Sequence, residues 1–293
     1  DRDASFRRFT KRDVNPVSGV VKKRRILFDP NEATRKVHRY FLGFLDRWMD
    51  REKLGNLLVN ATGSLPGCNP RANVFIHRRS RFFYLLDLRS AFPSVNTQGL
   101  AEAICFLIEG LSECEAELLE FLGRYFVSRQ DGLLSGGPAA NDLFNLYVGY
   151  LMDDPLSLIA EANGLTYTRY VDDLTFSGND PVSMSTRREI RTVIGDAGFG
   201  ISDHKAKLLD IEKGPVFVNG IGIKTGGRLF VPRAYVNHLE GLIHRAMHRG
   251  DISPSVVHGK MGVFRHITPR HHMNASEARL LARYRKFCAQ QES

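Results

Sequence analysis

Two adjacent carboxylates, Asp172 and Asp173, stand between two short runs rich in β-branched and aromatic residues, in Leu165-Thr-Tyr-Thr-Arg-Tyr-Val-Asp-Asp-Leu-Thr-Phe-Ser177. Such flanks predict a β-hairpin with both aspartates at its tip. Neighbouring carboxylates repel each other unless a cation lies between them. A third aspartate on an adjacent strand would complete a site for two divalent ions, the arrangement that serves nucleotidyl transfer. Asp87 is the candidate. It lies near the end of the apolar run Phe82 to Leu88, which reads as a buried strand. An acid in such a run costs desolvation energy unless it has a partner, and a metal ion is one.

The elements that must position these groups are read from periodicity and punctuation. Residues 1–30 read as basic and irregular, ending in Lys22-Lys-Arg-Arg-Ile-Leu-Phe-Asp-Pro30. Val37, Tyr40, Phe41, Phe44, Leu45, Trp48 and Met49 recur at the spacing of one helical face, which places the aromatic stripe in the core. Residues 55–80 read as loop. Ser112 with Glu115 predicts a capping box, Pro138 a helix start and Pro155 its interruption. Ser183 to Ala197 predicts a helix stopped by Gly198. Val216 to Ile223 and Arg228 to Val231 read as strands around a Gly226-Gly227 turn, and Pro232 opens a long helix. The order strand, helix, helix, hairpin, helix, strand predicts an α+β fold: an antiparallel sheet with helices on one face, of the ferredoxin-like type. In it Asp87 and the hairpin tip face each other at neighbouring strand ends.

Composition narrows the partner. The net charge is +9, which suits a polyanion such as a phosphate backbone. Cys68, Cys105, Cys114 and Cys288 show neither zinc-like pairing nor a disulfide rhythm, so free thiols in a reducing cytoplasm are expected. His238, His244, His248, His258, His266, His271 and His272 crowd the C-terminal part, at spacings that fit no standard zinc site. No apolar run approaches the ~20 residues of a membrane span. No secretory signal is visible, although the chain starts at Asp1, as a processed one would.

The motifs, taken in order, resemble those of reverse transcriptases, most closely the bacterial retron type. They are Leu86-Asp-Leu-Arg-Ser-Ala-Phe-Pro-Ser-Val95, Gly132-Leu-Leu-Ser-Gly-Gly-Pro-Ala-Ala-Asn141, the Tyr167–Ser177 hairpin, Gly198-Phe-Gly-Ile-Ser-Asp-His-Lys205 and Val218-Asn-Gly-Ile-Gly-Ile223. Lys22-Lys-Arg-Arg-Ile26 is similar to the basic fingers motif. Asn73-Val-Phe-Ile-His77 and Val218-Asn-Gly220 are similar to two retron elements, Asn-Ala-x-x-His and Val-Thr-Gly, each departing at one position.

The resemblance implies a right-hand polymerase: fingers in residues 1–80, a palm over 81–223 with a fingers part interleaved at about 100–130, and a short helical thumb over 224–293. It implies RNA-templated DNA synthesis from a structured RNA, in antiphage defence with an effector protein as partner. No nuclease, maturase or effector domain is expected beside that fold in 293 residues. Two Mg2+ ions, with Mn2+ as substitute, would be bridged by Asp87 and Asp172, with Asp173 beside them and the Leu88 carbonyl as a further ligand. Arg24 and Arg25 would hold the triphosphate of an incoming dNTP, and Lys205 would give a proton to pyrophosphate. Ser90 and Ala91 would line the nucleotide, with Phe92 as the ring under its sugar that excludes a 2′-hydroxyl. Gly136, Gly137 and Pro138 would let backbone approach the templating pair. Tyr170, Val218, Asn219, Gly220, Arg245 and Lys260 would touch the RNA/DNA duplex. Ser135 departs from the family, which has Gln there; the shorter side chain bears on nucleotide handling. Three other functions share these residues: an untemplated or protein-primed defence polymerase, an RNA polymerase, against which Phe92 argues, and a catalytically idle RNA-binding scaffold.

Overall fold

The computed structural model describes residues 5–14, 21–268 and 273–291, with the backbone alone over 12–14 and 21–24. The chain opens with a hairpin of β1 (Phe6–Val14) and β2 (Val21–Pro30), then α1 (Glu32–Trp48), α2 (Arg51–Leu57) and α3 (Pro70–His77). β3 (Phe82–Arg89) is followed by α4 (Thr97–Leu107), α5 (Glu115–Tyr125) and the short pair β4 (Val127–Ser128) and β5 (Gly132–Leu133). Next come α6 (Ala140–Val148), α7 (Asp154–Ala162) and the hairpin of β6 (Thr166–Tyr170) and β7 (Asp173–Gly178). α8 (Met184–Asp196), β8 (Gly200–Ile201) and β9 (Lys207–Asp210) lead to β10 (Val216–Val218), β11 (Ile221–Lys224) and β12 (Arg228–Phe230). Three helices end the chain: α9 (Arg233–His248), α10 (Pro254–Ile267) and α11 (Ala275–Gln291). No helix among the described residues is long and apolar enough to cross a membrane.

β3 is the axis of the central antiparallel sheet. It pairs with β7 along one edge, and β9 and β8 share its other edge, while β6 extends the sheet beyond β7. Side chains alternate across a strand, so β3 divides its apolar residues between two cores. Tyr84, Leu86 and Leu88 pack with buried residues of α4 to α8. Phe83 packs on the opposite face with Val74 of α3, the β10–β12 sheet and α9 to α11. Both faces are therefore covered, whereas helices on one face alone were expected. The cover on the second face comes from segments whose apolar residues would otherwise meet water: Val216, Val218, Ile221, Ile223 and the inward stripe of α9, Val236, Leu239 and Ile243.

Several local expectations change. Residues 1–30 are not irregular where described: β1 and β2 pair from Phe6↔Pro30 to Val14↔Val21. α1 buries Thr34, His38, Phe41 and Leu45, so Tyr40 (79% exposed), Phe44 and Trp48 (60%) lie outside the core. The polar His38 lies on the buried face instead, its Nε2 2.9 Å from the Tyr125 carbonyl oxygen and its ring stacked on Phe126. α3 lies inside the stretch read as loop; Asn69 caps it and Pro70 occupies its first turn, a start signal present in the sequence. Ser112 forms no capping box: it sits in a 3-10 turn, and α5 begins at Glu115 without a side-chain cap. α6 begins at Ala140, after Pro138, and runs into α7 through a π-helical turn, Gly149–Asp153, with Pro155 tolerated in the first turn of α7. Val216 to Ile223 is two strands joined by Asn219-Gly220, both left-handed (φ 45° and 79°). Asn-Gly is the preferred pair for such a turn. α8 starts at the Ser183 cap and Gly198 takes φ 82°, as read from the sequence.

Candidate active site

The hairpin tip is held in a conformation its residues would not choose alone. Val171 and Asp172 form the turn between β6 and β7, and Val171 adopts φ 58°, a region hostile to a β-branched residue. Three contacts hold it. The Leu88 N–H donates to the Asp172 carbonyl at 2.9 Å, and the Arg169 Nη1 donates to the Val171 carbonyl at 3.3 Å. Gly63 packs against the turn so closely that a Cβ there would lie 2.8 Å from the Val171 nitrogen. Arg169 is fully buried and is itself clamped: Asp153 accepts from its Nε at 2.9 Å and its Nη2 at 2.7 Å, and Asn145 Oδ1 from its Nη1 at 2.8 Å. Tyr167 donates its hydroxyl to the same Asp153 at 2.8 Å. The π-helical turn ends at Asp153, so the irregularity between α6 and α7 sets the place of the carboxylate that anchors Arg169.

The strand register brings the third carboxylate to this tip. Asp87 and Asp173 are direct partners across β3 and β7, with Asp172 in the adjoining turn. Asp87 Oδ1 accepts from the Ser202 hydroxyl at 2.8 Å, and Oδ2 from the Lys205 ammonium at 2.6 Å. Asp173 Oδ2 accepts from the Asn219 amide at 3.1 Å. Burial, then the charges of Asp172 and Asp87, push the Asp173 carboxyl up to about 6, against the opposing pull of Lys205 and Asn219. Asp87, Asp173, Lys205, Lys207 and Asn219 line a cleft of about 130 Å³. The donor set is oxygen only, and a lysine is already drawn onto one carboxylate, so the cluster is short of positive charge. That chemistry fits a hard divalent cation. Among the described residues, no group of three or more His, Cys, Asp or Glu side chains is gathered so as to hold a metal ion by itself.

Around this cluster the other expected residues fall in different places. Leu88 is buried and pairs with Ile201 of β8. Ser90 is exposed in a left-handed conformation (φ 50°), and Ala91 is buried. Phe92 is half-buried, its ring stacked on Phe144 with centroids 4.6 Å apart. Tyr170 pairs with Asp173 across the hairpin. Arg25 is exposed on β2; the side chain of Arg24 lies outside the described residues. Ser135 donates its hydroxyl to the Ile26 carbonyl at 3.2 Å and accepts the Phe28 N–H on its own carbonyl at 2.8 Å. Ser135 thus ties the 132–138 segment to β2 beside Arg25.

Gly136 and Gly137 pack against protein: a Cβ at Gly136 would lie 3.0 Å from the Phe28 carbonyl oxygen, and one at Gly137 2.7 Å from the His38 ring. Pro138 lies between these contacts and the start of α6. Val218, Asn219 and Gly220 form the β10–β11 turn beside Asp173. Arg245 is ion-paired with Asp251 at 2.6 Å, both exposed, and the Lys260 carbonyl accepts from the Tyr235 hydroxyl at 3.1 Å. His271 and His272 lie outside the described residues. Missed by the sequence reading are Arg169, Asp153, Asn145 and Gly63 under the tip, and Ser202 on Asp87. Arg169 and Ser202 stand inside the quoted motifs; the others carry no local signal.

No protein-family model matches the chain. It is 27% identical to the retron Mx65 reverse transcriptase of Myxococcus xanthus, over 97% of this chain and 67% of that protein. It is 27% identical to the retron Mx162 reverse transcriptase of the same organism (82% and 54%) and 26% to the retron Ec83 reverse transcriptase of Escherichia coli (63% and 61%). The chain thus spans between 54% and 67% of the length of these relatives. Its fold is similar to telomerase from Candida albicans, with a TM-score of 0.54 and 9% identity over 91% of this chain and 55% of that one. Telomerase from Candida tropicalis gives 0.50 and 12%, over 79% and 54%. The α/β fold with antiparallel sheets is similar to that of these telomerases, and in sequence the chain is similar to bacterial reverse transcriptases of the retron type.

Proposed function

We propose that the chain is an RNA-directed DNA polymerase of the retron type, with Asp87, Asp172 and Asp173 as its metal-binding carboxylates. The observation that carries this reading is the register pairing of Asp87 with Asp173 beside the turn in which the left-handed Val171 precedes Asp172. Two divalent ions, Mg2+ or Mn2+, bound there would lower the pKa of a primer hydroxyl and neutralise the pyrophosphate leaving group. The chain's own residues set the rest. The Leu88 N–H and Arg169 fix the tip, and Asn219 orients Asp173. Lys205, resting on Asp87, is within the cleft from which it would protonate pyrophosphate. Phe92, backed by Phe144, presents a rigid ring where the nucleotide sugar would lie, which favours dNTPs. Arg25 beside the Ser135 link, with Arg24, would hold the triphosphate.

In this reading the β1–β2 hairpin, α1 and the 100–130 region are fingers, the central sheet with its helices is the palm, and residues 224–293 are the thumb, whose Arg245 and Lys260 would meet duplex backbone. The templates and partners are a structured RNA, the RNA/DNA duplex and an effector protein in antiphage defence. Named relatives that are retron reverse transcriptases and a net charge of +9 support a nucleic-acid substrate. The test is primer extension on a structured RNA with dNTPs and Mg2+, with the products sequenced. Template-complementary DNA is expected. Homopolymer products would favour untemplated synthesis, and RNA binding without any synthesis would favour a scaffold.

A further inference from the structure

Asp173 is the end of a hydrogen-bond chain that crosses the sheet face to a buried histidine. Asn219 donates to Asp173 at 3.1 Å, and its own Oδ1 accepts from Asn73 Nδ2. Asn73 Oδ1 accepts from the Thr168 hydroxyl. Thr168 Oγ1 lies 2.7 Å from His77 Nε2, His77 Nδ1 lies 2.7 Å from Ser177 Oγ, and Ser177 Oγ lies 2.8 Å from Ser80 Oγ. Asn73, His77, Thr168 and Ser177 are buried.

The proton inventory gives the chain one direction. Thr168 spends its only proton on Asn73, so it accepts from His77, which must be the Nε2–H tautomer. His77 Nδ1 then accepts from Ser177, and Ser177 accepts from Ser80. Every donor points toward Asp173, and aligned hydrogen bonds polarise one another. Asn219 can serve because it occupies the left-handed first position of an Asn-Gly turn, where a threonine would be strained.

We propose that Asn219, Asn73 and His77 are positioning residues for Asp173: the directed chain fixes the carboxylate for cation binding from the sheet face opposite the α4–α8 core. The inference rests on the reading of Asp173 as a metal ligand. Its test is Mn2+ binding to the full chain without nucleic acid or nucleotide, by titration calorimetry. Wild-type binding should depend on Asp173, as Asp173→Asn reports. Asn219→Gly keeps the left-handed turn and removes the side chain that donates to Asp173, and it should weaken Mn2+ binding about tenfold or more, the scale of a hydrogen bond to a charged group. Asn73→Ala should weaken it less, and the two together no more than Asn219→Gly alone, because they act in series. Melting temperatures establish that both variants fold; if either does not, the His77 tautomer in the wild type decides. Nitrogen NMR should show Nε2–H with Nδ1 unprotonated at pH 7. Unchanged Mn2+ affinity in the folded Asn219→Gly variant, binding independent of Asp173, or an Nδ1–H tautomer would each overturn the proposal. The readout contains no polymerisation step, so it stands apart from whether RNA-directed synthesis is found.

Discussion

At the residue scale, the proposed site sets a partly buried Asp173 beside the charges of Asp172 and Asp87. Asp173 carries the consequence: burial first, then the charges of Asp172 and Asp87, disfavour its ionised form. Its carboxyl is pushed up to about 6 from an ordinary 3.8. Between those values the folded chain keeps a proton that the unfolded chain has lost, so this group's contribution to stability falls as pH rises through the window. Asp173→Asn should therefore melt above the wild type at pH 7.5 in metal-free buffer, with the gap closing toward pH 4. Thermal melts across that range check the sign, and a gap that widens at low pH would refute it. Phe92 stacked on Phe144 makes a second residue-scale case. Phe92→Ala should raise ribonucleotide incorporation relative to deoxyribonucleotide by about tenfold or more, the scale of ~1.4 kcal/mol of lost discrimination, measured by competing rNTP against dNTP in primer extension.

At the scale of elements, the hairpin tip depends on parts that do not touch the chemistry. Arg169 and Asp153 form a buried pair, with side chains 0% and 2% exposed. Arg169→Met would leave Asp153 charged and unpaired, at a cost of about 3–5 kcal/mol, and Asp153→Leu in the same chain should recover much of it. Denaturant titration of the single and double variants measures both. Gly63→Ala forces a Cβ against the Val171 backbone and should lower stability by about 1–3 kcal/mol while displacing the tip. A Gly63→Ala chain with wild-type stability would show that the turn is not held there. The hairpin and its aspartates were legible because their signal is local: β-branched flanks, two acids and a short turn. The clamp was not, because a π-helical turn lies between Asn145 of α6 and Asp153 and breaks the 3.6-residue period on which helix reading depends. The aromatic stripe of α1 misled for a related reason: Tyr40, Phe44 and Trp48 share a column, but His38 and Thr34 share the buried face with Phe41 and Leu45.

At the scale of the whole molecule, β3 joins two cores and carries Asp87 between them. Tyr84, Leu86 and Leu88 bind it to one, Phe83 to the other. The motif order foretold the first core and the antiparallel sheet, because each motif carries its own strand or helix. The second core was less legible: α3 and the Asn219-Gly220 turn announce themselves with Asn-Pro and Asn-Gly, yet only their meeting on the sheet gives those signals a purpose. In the proposed function, residue, element and molecule meet in one sheet that would present Asp87, Asp172 and Asp173 for RNA-templated DNA synthesis. The most direct measurement is sequencing of the products of primer extension on a structured RNA, with Asp172→Asn run in parallel. Template-complementary DNA that requires Mg2+ or Mn2+ is expected, falling on the order of 1000-fold in the variant, the scale of losing a principal electrostatic stabiliser. Synthesis that persists in Asp172→Asn, or products unrelated to the template, would contradict it.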